Sequence, residues 1–505
     1  MTTKLTVYNL SVTLETDDYT LQSEIGGFLD RYYTLRQRGF GPNGAPTVKL
    51  YAGKIKNKGV YQLHSSQFVH LYHYLKENGR GLHIDEKIDE RDYKAPLVDM
   101  KVREGWVLRE AQVPLDEFLM TNPTKSKLVP ISMGGGKTFV SMNAIGKLKK
   151  RLAVVILARF IDKWVSDIAQ IHEAKAEDIL VIKGSKHLSA LIHMAKEGEF
   201  AYKYVVFSAE TLQMYITAYE NDPESCVDSY GCSPIELFPL LGIGVMLNDE
   251  THMGWHNIFR IIIYSNVEYQ IGLSATLVAE EDVIRRAHRV IYPSSCIYGD
   301  SMISKHIDVF AISYGMREEV RRLIKTSNYG STHYSHTAYE QSILKRADLT
   351  HLYFKMIRSC AEDYYITDYK DKDKLIVFVA TVQMATKLVK HFQEHYPGKI
   401  VNRYCEEDPY ENLMTADIIV TTVISAGTGV DIPNLRTGIQ TVSISSTASN
   451  LQSYGRLRHL PDRDTKFCYL YCNNLNKQKQ YHMKRVELFT PRSKSVNYRA
   501  SRVNF

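Results

Sequence analysis

The sequence predicts an α/β chain in which two parallel-sheet lobes follow a small α+β amino-terminal domain. Three observations predict it. From about residue 100, short apolar runs alternate with helical patterns, and each run stops where a polar motif begins. A parallel sheet buried on both faces reads this way, with function at the carboxyl ends of its strands. A second series of the same kind starts near KLIVFVA (374–380), and residues 1–95 follow neither rhythm.

The amino-terminal domain, 1–95, reads as β-α-β-β-α. Strand-like LSVTL precedes a helical pattern in EIGGFLDRYYTLRQ, where Ile25, Phe28, Leu29 and Tyr32 share a face. TVKLYAG and VYQLH flank KIKNKG as a predicted hairpin turning at Gly59, and SQFVHLYHYLKENG predicts a helix from a serine cap to Gly79. GLHI is a candidate last strand. The opening MTTKLTVYNLSVTLETDD alternates apolar and acidic or polar residues, and so reads as a strand and not as a leader peptide.

For the first lobe, 96–295, the predicted strands are KLVPIS, LAVVILA, YVVFSA, IGVMLND and YQIGLS. Residues 296–360, rich in Tyr, His and Lys, are assigned to a connecting segment. The second lobe, 361–475, takes KLIVFVA, DIIVTT, TVSIS and FCYLY, and 476–505 is left as a basic tail. That tail holds eight Lys and Arg against Glu487, so its excess of seven equals the net charge of the whole chain, +7. A basic segment with Tyr481 and Tyr498 interleaved suits either a phosphate backbone or plain solvation.

The 505 residues, 44% hydrophobic and 24% charged, suffice for about three domains, and no apolar run approaches the ~18–20 residues of a membrane span. The seven cysteines form no CxxC pair, which fits a reducing compartment. The nearest approach to a metal pair, Cys468 and Cys472 in FCYLYC, reads as buried thiols on one strand face.

Two motifs carry chemistry. Ser132-Met133-Gly134-Gly135-Gly136-Lys137-Thr138 follows a strand and opens a helix. Backbone amides of Met133, Gly134, Gly135 and Gly136 would curl around a phosphate at the helix's positive end, Lys137 would reach the β- and γ-phosphates, and the Thr138 hydroxyl would ligate Mg²⁺. Ile131 replaces the first glycine of the full pattern. Asp249-Glu250-Thr251-His252 ends the strand GVMLN. One acid there, Asp249, can hold the metal's shell while Glu250 deprotonates the attacking water. The cofactors implied are therefore ATP and Mg²⁺.

Together with Leu108-Arg109-Glu110-Ala111-Gln112, Ser274-Ala275-Thr276, Gly427-Thr428-Gly429-Val430-Asp431 and Gln452-Ser453-Tyr454-Gly455-Arg456, these motifs form an ordered set. Over about residues 100–475 it resembles superfamily 2 (DExH) helicases, and in more detail the phage branch-migration helicases of the UvsW type. The resemblance implies two RecA-like lobes that bind ATP between them. It gives Gln112 the adenine, Ser274 and Thr276 the coupling of nucleotide state to motion, and Gly429 and Asp431 the ribose and lobe closure. Arg456 matches the first arginine of the last motif, directed at the γ-phosphate. The second arginine of QxxGRxxR falls on His459, so Arg458 is preferred for that role, since a neutral imidazole makes a poor finger. Arg159, Lys163, Ser208 and Thr211 occupy places where the family touches the nucleic-acid backbone, whereas Trp164 reads as core.

The implied activity is an ATP-dependent DNA helicase or translocase that unwinds or branch-migrates forks and four-way junctions in replication, recombination and repair. Its partners would be single-stranded, forked and branched DNA, with no membrane and with a monomer expected. The resemblance further implies a T5-like phage source and the cytoplasm of a bacterial host. Two alternatives stay open: an RNA helicase, and a P-loop switch or scaffold that moves nothing. A nucleotide kinase would need an acceptor lid that the sequence does not display.

Overall fold

The computed structural model describes residues 3–37, 46–56, 58–79, 88–121, 125–131, 135–251, 254–274, 282–299, 305–327, 333–405, 408–425, 432–460 and 462–505. They form two compact units that meet in sequence at 301/302, close to the predicted end of the first lobe at 295.

Alternation at the amino terminus does give strands. β1 (Thr3–Tyr8) and β2 (Ser11–Thr16) pair antiparallel, with Leu5 opposite Leu14 and Val7 opposite Val12 on the buried face. Asp18 caps the helix Tyr19–Tyr33 by accepting from the Thr20 and Leu21 N–H groups, and Ile25, Phe28 and Leu29 are buried as their spacing requires. The predicted hairpin divides. β3 (Thr34–Gln37) takes β4 (Thr47–Leu50) as a separate ribbon, and only the short β5 (Gly53–Lys54) pairs with β6 (Val60–His64). The helix Ser65–Glu77 is capped by His64, in a reciprocal pair with Gln67, and not by a serine. β7 (Asp89–Arg91) completes the sheet in the order β5-β6-β2-β1-β7. The candidate strand GLHI lies outside the described residues.

This domain packs into the first lobe as one body with it. Gln62 donates to the Ile263 carbonyl at 2.8 Å, the Asn9 N–H to Asn266 at 3.1 Å, and the Tyr51 ring meets His256 and Phe259 edge-on.

In the first lobe all five predicted strands form: β8 (Ser126–Pro130), β9 (Arg151–Ile156), β11 (Tyr204–Ser208), β12 (Ile243–Asn248) and β13 (Tyr269–Ser274). The sequence reading missed β10 (Ile179–Ile182), a four-residue edge strand that is only partly buried. The sheet is parallel throughout, in the order β10-β11-β9-β12-β13-β8.

The second unit corrects the predicted boundaries. Its parallel sheet runs β16 (Val401–Tyr404), β17 (Ile418–Thr422), β15 (Lys374–Val379), β18 (Leu435–Gln440), β19 (Thr465–Cys472), β14 (Ile307–Tyr314), β20 (Ser495–Ala500). The supposed connecting segment therefore supplies an interior strand, and its helices His336–Leu344 and Ala347–Ala361 bury Tyr339, Tyr353 and Ile357 in the lobe's core. TVSIS is not the strand. Pairing ends at Gln440, one residue before it, and the strand proper is LRTGIQ.

Nor is 476–505 a tail. Asn476–Phe489 is a helix, β20 extends the sheet beside β14, and Phe505 is buried in the core. Arg485 is only 1% exposed and donates to Asn450 and the Val442 carbonyl, so it is not one of the segment's surface charges. All seven cysteines, Cys468 and Cys472 included, are buried free thiols. No described helix is long and apolar enough to cross a membrane.

Candidate active site

The strand-to-helix turn after β8 places Lys137 as the first residue of the helix Lys137–Leu148. Its amino-terminal cap is Gly136, in the left-handed region at φ 79°, a residue with no side chain to bond the helix's leading N–H groups. A side chain has no room at this cap. A Cβ on Gly136 would stand 2.1 Å from the Gln112 amide nitrogen. Gln112 is buried, accepting from the Arg109 N–H at 3.0 Å and donating to the Gly135 carbonyl at 3.2 Å. The residue that the resemblance gives to adenine is thus held against the glycine-rich segment.

β12 delivers the acids to the same place. The Lys137 ammonium lies 3.5 Å from Asp249 Oδ1 and 3.5 Å from Glu250 Oε1. The Asp249 carboxylate also accepts from the Glu250 N–H at 2.8 Å and from the Trp164 indole at 3.1 Å. Glu250 sits at φ 50°, a left-handed conformation that costs a non-glycine residue on the order of 1–3 kcal/mol. The following Thr251 N–H donates to the Leu273 carbonyl of β13 at 3.0 Å, which ties the acid pair to the strand ending in Ser274.

Electrostatics follow from the geometry. Burial works to raise the Asp249 pKa, but Lys137, then Lys163, the Glu250 N–H and the Trp164 indole outweigh it and hold the carboxyl below its usual range. Burial likewise works against the Lys137 charge, and Asp249 and Glu250 hold its pKa above the ordinary value. The resting site is one ammonium shared by two carboxylates. Such an ammonium can exchange its partners for phosphate oxygens.

The donor set fits the implied ligands. Thr138 and Asp249 offer hard oxygens suited to Mg²⁺, while the glycine-capped helix end and the Lys137 ammonium suit phosphate.

Other predicted residues are placed less uniformly. Arg159 is exposed beside the Phe160 ring. Lys163 pairs with Asp167 at 3.1 Å and lies over the Trp164 ring. Ser208 is 2% exposed and bonds Glu210, and Thr211 is 5% exposed and accepts from the Gly184 N–H at 2.8 Å. Both hydroxyls therefore serve the lobe's own fold. In the second unit Arg456 is buried, Arg458 is half-buried with a guanidinium bond to the Gly455 carbonyl at 3.3 Å, and His459 is exposed. Met133, Gly134, His252, Thr276, Gly429 and Asp431 lie outside the described residues. Trp164 is core, as read, yet its indole holds Asp249. Nothing in its sequence neighbourhood announces that second task.

Residues 101–279 match the family model described as Type III restriction enzyme, res subunit. The matched stretch lies within the first unit. Among curated proteins, the general transcription and DNA repair factor IIH helicase/translocase subunit XPB of Enterocytozoon bieneusi is 25% identical over 218 residues, which cover 41% of this chain and 34% of the relative. The match thus spans about a third of that relative's length. Among solved structures, Saccharomyces cerevisiae Dbp5 bound to RNA and ADP BeF3 superposes with a TM-score of 0.50 at 12% identity, covering 77% of this chain and 89% of that one. That likeness concerns the fold alone, two parallel-sheet lobes. T4 UvsW aligns over 100% of both chains at 13% identity with a TM-score of 0.34, too low to bear on the fold.

Proposed function

We propose that this chain is an ATP- and Mg²⁺-dependent DNA helicase or translocase that unwinds or branch-migrates forked and four-way-junction DNA. The observation that carries the reading is the Lys137 ammonium at 3.5 Å from both Asp249 and Glu250, set at the start of a helix that is capped by a glycine. A second parallel-sheet lobe supports a motor over a single-lobed switch, which has no need of one.

In this mechanism Lys137 leaves its carboxylates for the β- and γ-phosphate oxygens, and the first turn of Lys137–Leu148 binds the phosphate through backbone amides. Thr138 and Asp249 hold Mg²⁺, which supplies charge neutralisation when bound. Glu250, freed from Lys137, takes the proton of the attacking water. Arg456 and Arg458 are assigned to the charge that develops on the transferred phosphoryl group. Thr251, bonded to the strand that ends in Ser274, passes the state of the acid pair to that strand.

The amino-terminal domain is proposed to hold a duplex arm, which raises the effective concentration of the junction at the motor. Arg31 is exposed there, whereas Arg36 pairs with Asp30 and Lys58 with Glu224. Deleting 1–95 would strip the first lobe of the Tyr51 and Gln62 contacts, so single exposed positions such as Arg31 are the usable probes. The ordered motif set is also what supports a phage-encoded, T5-type protein acting in a bacterial cytoplasm.

The deciding experiment compares ATPase stimulation by single-stranded DNA, duplex, fork, four-way junction and RNA. Forks and junctions should stimulate most. Stronger stimulation by RNA would overturn the DNA reading, and none by any nucleic acid would favour the switch.

A further inference from the structure

On the helix Val382–His395 of the second lobe, His391, Glu394 and His395 stand at i, i+3 and i+4, which brings them to one face. His391 is 9% exposed, and its Nε2 is buried with no hydrogen-bond partner. His395 bonds the His391 carbonyl through Nδ1 at 2.8 Å. A carbonyl only accepts, so the proton sits on Nδ1 and the Nε2 lone pair of His395 is left for a ligand. The two imidazole centroids are 4.1 Å apart. One donor atom from each of the three residues lies within 4.8 Å of the others. Bonds of about 2.0–2.1 Å to a tetrahedral ion set its ligand atoms ~3.4 Å apart, so the two exposed side chains need only a small adjustment to close the set.

We propose that His391, Glu394 and His395 form a binding site for a divalent transition metal of the zinc type. Two imidazoles and one carboxylate suit Zn²⁺ and its neighbours in the series, whereas Mg²⁺ prefers oxygen ligands throughout. A buried ring nitrogen without a partner is costly, and a metal supplies that partner. The backbone bond at His395 Nδ1 is the outer-shell contact that metal-binding histidines use to fix their tautomer. The charged and titratable groups that face His391 include His395, Arg358 and His351. Arg358 is the cation that opposes a metal here, and its guanidinium is engaged by Glu362 at 3.3 Å. Three protein ligands leave a fourth position for water, and the donors differ from those of the Thr138–Asp249 set.

The test uses the full chain, freed of metal by a chelator and titrated with Zn²⁺ in excess Mg²⁺, which occupies oxygen-donor sites. One Zn²⁺ should bind per chain, and Co²⁺ in its place should give the visible absorption of a low-coordinate nitrogen–oxygen site. Glu394→Gln should weaken Zn²⁺ about 10-fold and His395→Ala about 100-fold. Both positions are exposed, so both variants should melt like the wild type in the absence of metal. Failure of the wild type to bind Zn²⁺, or unchanged affinity in both variants, overturns the site.

Discussion

Each lobe buries a carboxylate at the carboxyl end of a sheet strand, and the two are in opposite electrostatic states. In the first lobe β12 itself supplies Asp249 and Glu250, and an ammonium 3.5 Å away keeps Asp249 ionised. In the second lobe the end of β15 supplies donors instead. Glu340, fully buried on the helix His336–Leu344, accepts from the Ala380 N–H at 2.8 Å, the Thr381 N–H at 3.0 Å and the Thr381 and Thr441 hydroxyls. Its nearest basic group, His336 at 3.8 Å, is held neutral because burial, then Arg485, depress its pKa to about 3. Burial lifts the Glu340 pKa to about 8 against four neutral donors that pull it down. At Glu340 the four dipoles do not offset desolvation, whereas at Asp249 the Lys137 cation does. The first arrangement can exchange its charges, while the second fixes the shape of a loop.

Removing the cation breaks the contrast most completely. Lys137→Ala should abolish ATP turnover, because the phosphate-directed charge is lost and two buried carboxylates are left facing each other. Steady-state phosphate release at background level is the expected result, and wild-type release would refute the site. Glu250→Gln keeps the ammonium and removes only the proton acceptor. Hydrolysis should slow ~10²–10⁴-fold while nucleotide and DNA binding persist in equilibrium titrations.

The second lobe's arginines come next. Arg458→Ala should cut DNA-stimulated turnover ~10³-fold with nucleotide binding mostly retained, and His459→Ala should be nearly silent. The half-buried setting of Arg458 makes this substitution cleaner than one at Arg456, whose burial mixes function with fold. The reverse outcome would give the position to the histidine.

What the sequence made legible follows the same divide between lobes. The first lobe's predicted strands are apolar runs ended by polar motifs, β8 by GGGKT and β12 by DETH, so period and punctuation agree. In the second lobe β18 is LRTGIQ, whose Arg436, Thr437 and Gln440 are buried polar residues, and the apolar TVSIS beside it drew the assignment. β14 and β20 were missed for a related reason. Their pairing, parallel to each other across 187 residues from Asp308 to Ser495, is a long-range contact that no local window contains. Within the candidate site, Lys137, Asp249 and Glu250 could be singled out because each lies in a short motif at a strand end, and the structure brings the three together. The Trp164 indole and the Gln112 contact with the loop could not, since they arise only when separate elements converge.

The Glu340 state can be tested through stability. A folded carboxyl with pKa about 8 keeps a proton that an unfolded one, at the ordinary 4.5, releases. The contribution is therefore fullest below 4.5 and falls as pH rises toward 8, at up to about 1.4 kcal/mol per unit. Glu340→Gln removes that slope, and its amide meets a backbone N–H with only one accepting oxygen, costing about 1–3 kcal/mol at low pH. Denaturation of the second lobe followed from pH 5 to 8 should show the two curves converge and then cross as pH rises, the wild type losing its advantage. Parallel curves would mean that Glu340 is ionised in the folded state.

The smallest expected effect concerns the basic carboxyl-terminal segment, where buried and surface charges lie on one helix. Arg485 is spent inside the fold, whereas Lys477, Lys479 and Lys484 are exposed on Asn476–Phe489. Removing 476–505 cannot test DNA contact, because Phe489 and Phe505 belong to the lobe's core. Changing the three lysines to glutamine leaves that core untouched. If all three meet phosphates, the slope of log affinity against log salt should become shallower by roughly 2–3, since each contact releases about 0.7–0.9 of a counterion. Binding measured at several salt concentrations gives the slope directly, and ATPase without DNA serves as the control for folding. An unchanged slope would make these lysines solvated charge, and the DNA path would then have to be sought among other exposed cations, with Arg159 of the first lobe the foremost.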